Sequence, residues 1–486
     1  MLSGVSTTTN SQAERPALIR GIGLLSATTL NMIEMIGVGP FITIPLIVHA
    51  AGGPQAMLGW IFGAVLAMCD GMVWSELGAS LPRAGGSYEY LKEIYGPQRL
   101  GRMASFLYVW QLTFSAPLSI ASGCVGIAQY AAFLWPTLDK IVATHVVGWQ
   151  MPVVGSIAFS VTITRATWLA VIACALAVAL TYRRIDVVGR LSNFLWGGVV
   201  LTVLWVIFAG LTHFNRAMAF DFPPHAFTPN AQFATGLGAA MLIATYDYWG
   251  YYNIAFLGGE VQNPGRNIPR SILLAILFVA IIYIVMNISI LGVMPWRELD
   301  HAAQGNTRTY VISTMMQRLY GSWAGQLAAV LIMWTAFASI FSVILGAARV
   351  PYAAALDGNY FRAFAHLHPT GRFPDISLLV IGTIAALFCF LRLSDLIAAL
   401  EVIRILIQFI SQTVGIMIFR ARRPEVERPF RMPFFPLPAL LSLSGFVYIL
   451  FARSNFMREL RLAIALLIIG IIIYLLRALR RREWPL

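Results

Sequence analysis

Twelve apolar runs divide this 486-residue chain, and almost no charge interrupts them. They fall near 22–50, 56–81, 103–134, 166–182, 190–212, 233–258, 270–294, 323–349, 375–391, 394–420, 434–452 and 460–479. A helix needs roughly 20 mostly apolar residues to cross hydrocarbon. The pattern therefore predicts an all-α integral membrane protein with about twelve transmembrane helices. Composition agrees, because 58% of residues are hydrophobic and 11% are charged. A soluble domain carries roughly a quarter charged residues. Most of this surface must face lipid.

Loop charge predicts the orientation. Segments on the N-terminal side hold 23 of the 34 Lys and Arg residues, the opposite loops hold 10, and Arg404 lies inside a span. Positive loops stay cytoplasmic, so both termini are expected in the cytoplasm at the cell membrane. The net charge of +13 is read as this bias and not as a nucleic-acid surface, since no aromatic-basic stripe accompanies it. Residues 1–20 are polar and lack the pattern of a cleavable signal.

The connecting segments are short. The longest outer ones, near 135–165, 213–232 and 295–322, leave no room for a soluble catalytic domain. After Asn306-Thr307 a weakly amphipathic stretch predicts a surface helix. Cys69, Cys124, Cys174 and Cys389 sit in apolar runs without metal or disulfide spacing. The seven histidines are scattered and no GxxxxGK phosphate loop is present. Metal-based catalysis and ATP drive are thus not expected, nor is any cofactor. No repeated filter loop favours a channel.

Two spans carry chemistry where apolar residues belong. The first reads Glu34-Met35-Ile36-Gly37-Val38-Gly39-Pro40 at its middle, and the sixth reads Tyr246-Asp247-Tyr248-Trp249-Gly250-Tyr251-Tyr252-Asn253. Proline removes an amide donor and glycine loosens the backbone, so both helices should break. Unwound backbone survives at membrane depth only where protein or a water-filled cavity covers it. Interrupted helices at matching places in two halves point to a transporter site. Free amides at such a break suit a carboxylate, and free carbonyls suit an ammonium.

At these residues the sequence resembles the amino acid–polyamine–organocation superfamily. The resemblance also rests on Leu81-Pro82-Arg83-Ala84-Gly85-Gly86-Ser87-Tyr88, on Gly258-Gly259-Glu260-Val261-Gln262-Asn263-Pro264 through Arg270, and on Ala348-Arg349 through Asp357-Gly358. It spans roughly residues 15–420. It implies a LeuT-type 5+5 inverted repeat with discontinuous helices 1 and 6. The expected division is a tail at 1–20, repeats at 21–212 and 213–420, and helices 11 and 12 with a basic tail at 421–486. L-type amino-acid transporters carry a similar Asn-Pro-x-Arg-Asn-Ile-Pro segment, and Tyr251 matches their gating aromatic in helix 6. Polyamine uptake transporters resemble the stretch Asn253 to Val261. Val199 stands where some relatives carry a coupling lysine, which argues against that mechanism here.

The expected substrate contacts are Ile36, Gly37, Val38, Gly39, Tyr246, Asp247, Tyr248, Trp249, Gly250 and Tyr251. Further candidates for coupling or substrate contact are Glu34, Asn253, Ser339, Ser342 and Gln111, with Ser115 weaker. Arg83, Glu260 and Arg266 are candidates for a cytoplasmic gate. Glu401 and Arg404, three apart on one helix face, read as an internal ion pair. Glu76 reads as structural and Asp70 is left open. The acidic breaks tilt the reading toward a positively charged solute. The function expected is secondary transport of an amino acid by alternating access, coupled to H+ or Na+ or by exchange, with polyamine or organic-cation uptake as the alternative. A channel or a membrane enzyme ranks behind both.

Overall fold

The computed structural model describes residues 18–151, 155–303, 310–392 and 394–484. Helices occupy every apolar run. The first run holds α1 (Leu24–Met35), α2 (Gly39–Ile42) and α3 (Ile44–Ala51). Then come α4 (Met57–Ser80), α5 (Ser87–Tyr95), α6 (Leu100–Leu134), α7 (Arg165–Thr181) and α8 (Ile185–Thr212). The middle of the chain forms α9 (Arg216–Ala219), α10 (Ala231–Tyr248), α11 (Asn253–Phe256), α12 (Pro264–Leu291), α13 (Trp296–Ala303) and α14 (Val311–Tyr320). The rest forms α15 (Ser322–Ala347), α16 (Arg349–Leu356), α17 (Asp375–Phe388), α18 (Ser394–Arg404), α19 (Ser411–Arg422), α20 (Leu437–Phe451) and α21 (Phe456–Arg481). Among the described residues, eight helices are long and apolar enough to cross a membrane, and three shorter apolar helices accompany them.

The fold is helical, as the apolar runs predict, with one small sheet outside the helices. The loop after α6 forms β1 (Ile141–Met151) and β2 (Gly155–Thr164), paired antiparallel, with β3 (Leu391–Arg392) beside β2. The cause is legible afterwards. Ile157, Phe159, Val161 and Ile163 alternate with small or polar residues, the period of a strand. The surface helix expected after residue 306 is α14, whose Val311, Ile312, Met315 and Met316 are buried. Asn306-Thr307 themselves lie outside the described residues, as does most of the 1–20 tail.

Helix α1 lies inside the bundle. It packs against α8, α12 and α15, while α4 packs on α10 and α12, and α6 on α15. Ala27, Leu30, Met32, Ile33 and Met35 on α1 are all buried. By contrast α21 exposes Ile468, Ile472 and Leu476, the surface of a lipid-facing helix at the edge. All four cysteines are buried and free.

One end of the bundle is tied together by the segments that carried the family resemblance. The Ile22 amide donates to the Glu260 carbonyl at 3.0 Å, and the Gln262 amide donates back to Ile22 at 2.9 Å. Gly85 donates its amide to the Phe256 carbonyl. Tyr88 donates its hydroxyl to Asp357 at 3.0 Å, and Lys92 reaches the same carboxylate. Asn263 adopts a left-handed backbone just before Pro264 opens α12. Proline suits the first turn, where no amide partner is needed.

The expected gate is corrected here. Glu260 pairs with Arg349, Nε to Oε2 at 2.8 Å and Nη2 to Oε1 at 3.0 Å, and both side chains are only 1% exposed. Arg83 instead turns outward to Glu89 and Glu93, and Arg266 is exposed. A planar guanidinium and a carboxylate satisfy one another best when held in this bidentate form. The Arg349 partner comes from α16, which sequence spacing alone does not bring near residue 260.

Removing one member of such a buried pair strands the other charge. Glu260→Ala should therefore destabilise the detergent-solubilised protein by about 3–5 kcal/mol, read as a large fall in thermal unfolding midpoint. Arg83→Ala, at an exposed pair, should shift stability by less than about 1 kcal/mol. Equal effects of the two substitutions would contradict this assignment.

Candidate functional site

Both predicted breaks are present, and they touch. Helix α1 stops at Met35, and residues 36–38 are unwound before α2 begins at Gly39. Helix α10 stops at Tyr248, and residues 249–252 are non-helical before α11. Gly250 has φ +120°, and a Cβ there would meet Glu34 Cγ at 2.8 Å and the Met35 amide at 3.0 Å. Asp247 crosses from the second break to the first. Its Oδ2 accepts from Thr43 Oγ1 at 2.5 Å, and its Oδ1 occupies the space that a Cβ on Gly39 would need.

Neighbouring helices supply the hydrogen bonds that the breaks forgo. Tyr283 on α12 places its hydroxyl 2.7 Å from the Met35 carbonyl and 3.1 Å from that of Asp247. Ser339 on α15 donates to the Glu34 carbonyl, and Ser342 donates to that of Leu30. Asn31 accepts from the Ile254 amide, and Asn253 donates to Ser342 Oγ at 2.7 Å. The amides of Gly37 and Val38 find no protein acceptor among the described residues.

A cavity of about 210 Å³ lies between the breaks. That is room for roughly seven waters at about 30 Å³ each. Of the expected contacts, Gly37, Val38, Gly39, Tyr246, Asp247 and Trp249 line it, together with Glu34, Asn253 and Ser339. Of its lining residues, Asn253 and Phe256 are buried, while Tyr246 is 39% exposed.

The other expected residues do not face this space. Ile36 is buried in the core. Tyr248 donates to the Trp60 carbonyl, and Gly250 packs on Glu34. Tyr251, matched to a gating aromatic, is buried with its hydroxyl on Asp70 Oδ2 at 2.6 Å. Asp70 also takes Ser442 Oγ at 3.2 Å, which gives that open carboxylate a place as a junction between α4, the break and α20. Ser342 serves the α1 backbone. Gln111 is buried with both amide atoms unpartnered, outside the cavity lining. Glu76 holds Arg420 and the Met432 amide, a structural role as expected.

The largest revision concerns Arg404. The expected Glu401–Arg404 pair does not form: Glu401 accepts from Arg453 at 3.1 Å. Arg404 lines the cavity, with its guanidinium 5.4 Å from the Trp249 ring centroid and Nη2 3.3 Å from Ser115 Oγ. Thr43, Ser119, Ser122, Tyr252 and Gln408 also line it. Arg404 carried a readable signal, as a basic residue in the interior of a predicted span, away from its ends. The serines and Gln408 carried none, since single polar residues are common in packed membrane helices.

A multi-pass membrane protein with a small cavity of mixed polar and apolar lining between two interlocked broken helices is what this geometry defines. The family model described as amino acid permease matches residues 22–474, and the chain belongs to that family. It is therefore a transporter of the amino acid–polyamine–organocation superfamily, not an enzyme. The chain is 26% identical over 446 residues to the serine/threonine exchanger SteT of Bacillus subtilis, covering 90% of this chain and 92% of that one. It is 24% identical over 471 residues to the branched-chain amino acid permease BcaP of the same organism, covering 95% and 93%. It is also 24% identical to the human cationic amino acid transporter 4, covering 84% of this chain and 61% of that one.

The contact between the breaks is open to test. Gly250→Ala forces a side chain into a backbone region costing about 1–3 kcal/mol and into Glu34 and Met35. Such a variant should lose transport by tenfold or more and elute as a less stable species in size exclusion. Wild-type uptake from this variant would show that the breaks do not depend on one another.

Proposed function

We propose that this protein is a secondary transporter that moves an amino acid across the cell membrane by alternating access. The observation that carries the proposal is the cavity between the two breaks, lined by Gly37 and Val38, whose amides lack a protein acceptor among the described residues, and by Asp247. Amides at a helix break receive the substrate carboxylate. Asp247, with Glu34 beside Gly250, faces the ammonium. In this reading Tyr246 and Trp249 border the bound solute, and Asn253 and Phe256 close the inner end.

The proposal includes twelve spans, counting the broken α10–α11 as one, with both termini cytoplasmic as loop charge requires. Residues 21–212 and 213–420 then form inverted repeats, with 421–486 outside them. The juxtaposed breaks support this, because inversion brings the first helix of each repeat to one axis. The tied end, held by Glu260–Arg349 and by Ile22 against residues 260–262, is then cytoplasmic. Drive comes from an ion gradient of H+ or Na+, or from exchange. The relatives named as amino acid carriers, one of them for cationic amino acids, favour an amino acid over a polyamine. The Arg404 guanidinium in the cavity also weighs against a polycation.

Purified protein in proteoliposomes, supplied with labelled amino acids and polyamines under pH, Na+ or counter-substrate gradients, should show saturable uptake and counterflow of an amino acid. Uptake of polyamines alone, or flux that never saturates, would sink the reading. Asp247→Asn should lower amino-acid uptake about tenfold or more, as expected when a charged hydrogen-bond partner is lost. Unchanged kinetics would remove Asp247 from the site.

A further inference from the structure

The cavity holds a cation that closes no ion pair. Among the described residues, no carboxylate lies within ion-pair distance of Arg404, which donates to the Ser115 hydroxyl and faces the Trp249 ring, with Glu34 and Glu401 farther off. Its nearest acidic neighbour in sequence, Glu401, is taken by Arg453, which also binds Glu459. An unpaired guanidinium at membrane depth is costly and is kept only for a purpose. Directly after Arg404 the helix widens into a π-turn over Ile405–Ile410, a feature frequent at functional sites. That turn carries Gln408, 1% exposed, into the same lining with its Nε2 donor unsatisfied.

Arg404 and the unsatisfied Gln408 amide thus line one cavity, into which Glu34 and Asp247 enter from the two breaks. A smaller pocket of about 30 Å³ adjoins, sharing Ser119, Ser122, Tyr246 and Arg404, and Glu401, whose carboxylate is held by Arg453, borders it as well. The cavity is dipolar. A substrate that matches it presents its ammonium to the breaks and an anionic oxygen to helix α18.

We propose that Arg404, with Gln408, is the specificity-determining subsite for the substrate side chain, and that it selects amino acids whose side chain ends in a carboxylate. The inference rests on the amino-acid transport reading above and goes beyond it by naming the substrate class. Arg404 suits this task because its planar fork binds a carboxylate through two parallel N–H bonds. Trp249 holds the fork in place from its face. A lysine or arginine substrate would bring like charge against Arg404.

The test is a substrate panel on reconstituted full-length protein, with glutamate, aspartate, serine, leucine and lysine as labelled probes. Wild type should take up glutamate or aspartate in preference to lysine. Arg404→Gln should cut acidic amino-acid uptake by about tenfold or more, chiefly through KM, and lower the ratio of acidic to serine uptake. Arg404→Lys should retain part of the acidic uptake. Thermal stabilisation of the wild type by glutamate, measured in detergent, reads binding without any variant and should exceed that by lysine. Wild-type transport of neutral or cationic amino acids alone would overturn the inference while leaving the transport reading intact. So would an unchanged substrate profile in Arg404→Gln, or an equal loss of every substrate from that variant. Absence of all amino-acid transport in the wild type would instead defeat the underlying reading, and this inference with it.

Discussion

A helix broken inside hydrocarbon leaves amides and carbonyls with no water to receive them, and each unsatisfied group is costly there. Much of the surrounding structure answers that one demand. The Glu34 and Met35 carbonyls at the end of α1 are covered by hydroxyls from Ser339 and Tyr283. The Ile254 amide at the start of α11 is covered by Asn31, back on α1. Each break is thus completed by groups from outside its own helix. What stays uncovered, the Gly37 and Val38 amides, borders the cavity. Satisfied backbone is scaffold, and unsatisfied backbone is left for a solute.

Charge follows the same division. Where carboxylates and guanidinia meet in full, as at Glu260–Arg349 and Glu76–Arg420, they join helices far apart in the chain. Where they stay apart, as with Glu34, Asp247 and Arg404, they line the cavity. Buried pairs add specificity of arrangement more than raw stability. Buried single charges are unfavourable in isolation, and their presence in one small space marks where something else must bind.

The positions of the helices and of both breaks were legible because they depend on local chemistry. Apolar length, and glycine with proline at mid-span, do not need the rest of the fold to be read. The hairpin at 141–164 was legible too, but its alternation was masked by the strength of the helical signal on either side. Partnerships were not legible. Glu260 meets Arg349 because α16 folds back beneath residue 260, and Glu401 leaves Arg404 because Arg453 arrives from the far end of the chain. Such choices are made by tertiary proximity between oppositely charged groups, and one sequence holds several equally good partners for each. Tyr251 was misplaced for a related reason. Helix periodicity fails within a break, so the direction of a side chain there depends on the unwound backbone.

The tie between Ile22 and residues 260–262 bears on how the chain is made. The first span leaves the ribosome early, yet its backbone partners lie on later segments: Val261 beside Ile22, Ile254 beside Asn31, Tyr283 beneath Met35, and Ser339 beneath Glu34. Until those arrive, the carbonyls of Glu34 and Met35 beside the unwound residues lack their hydroxyl donors. The nascent N-terminal half must therefore wait, either as a straight helix that breaks only later or sheltered by the insertion machinery. Assembly of this site is a late event in synthesis, although its first residues are among the earliest to be built.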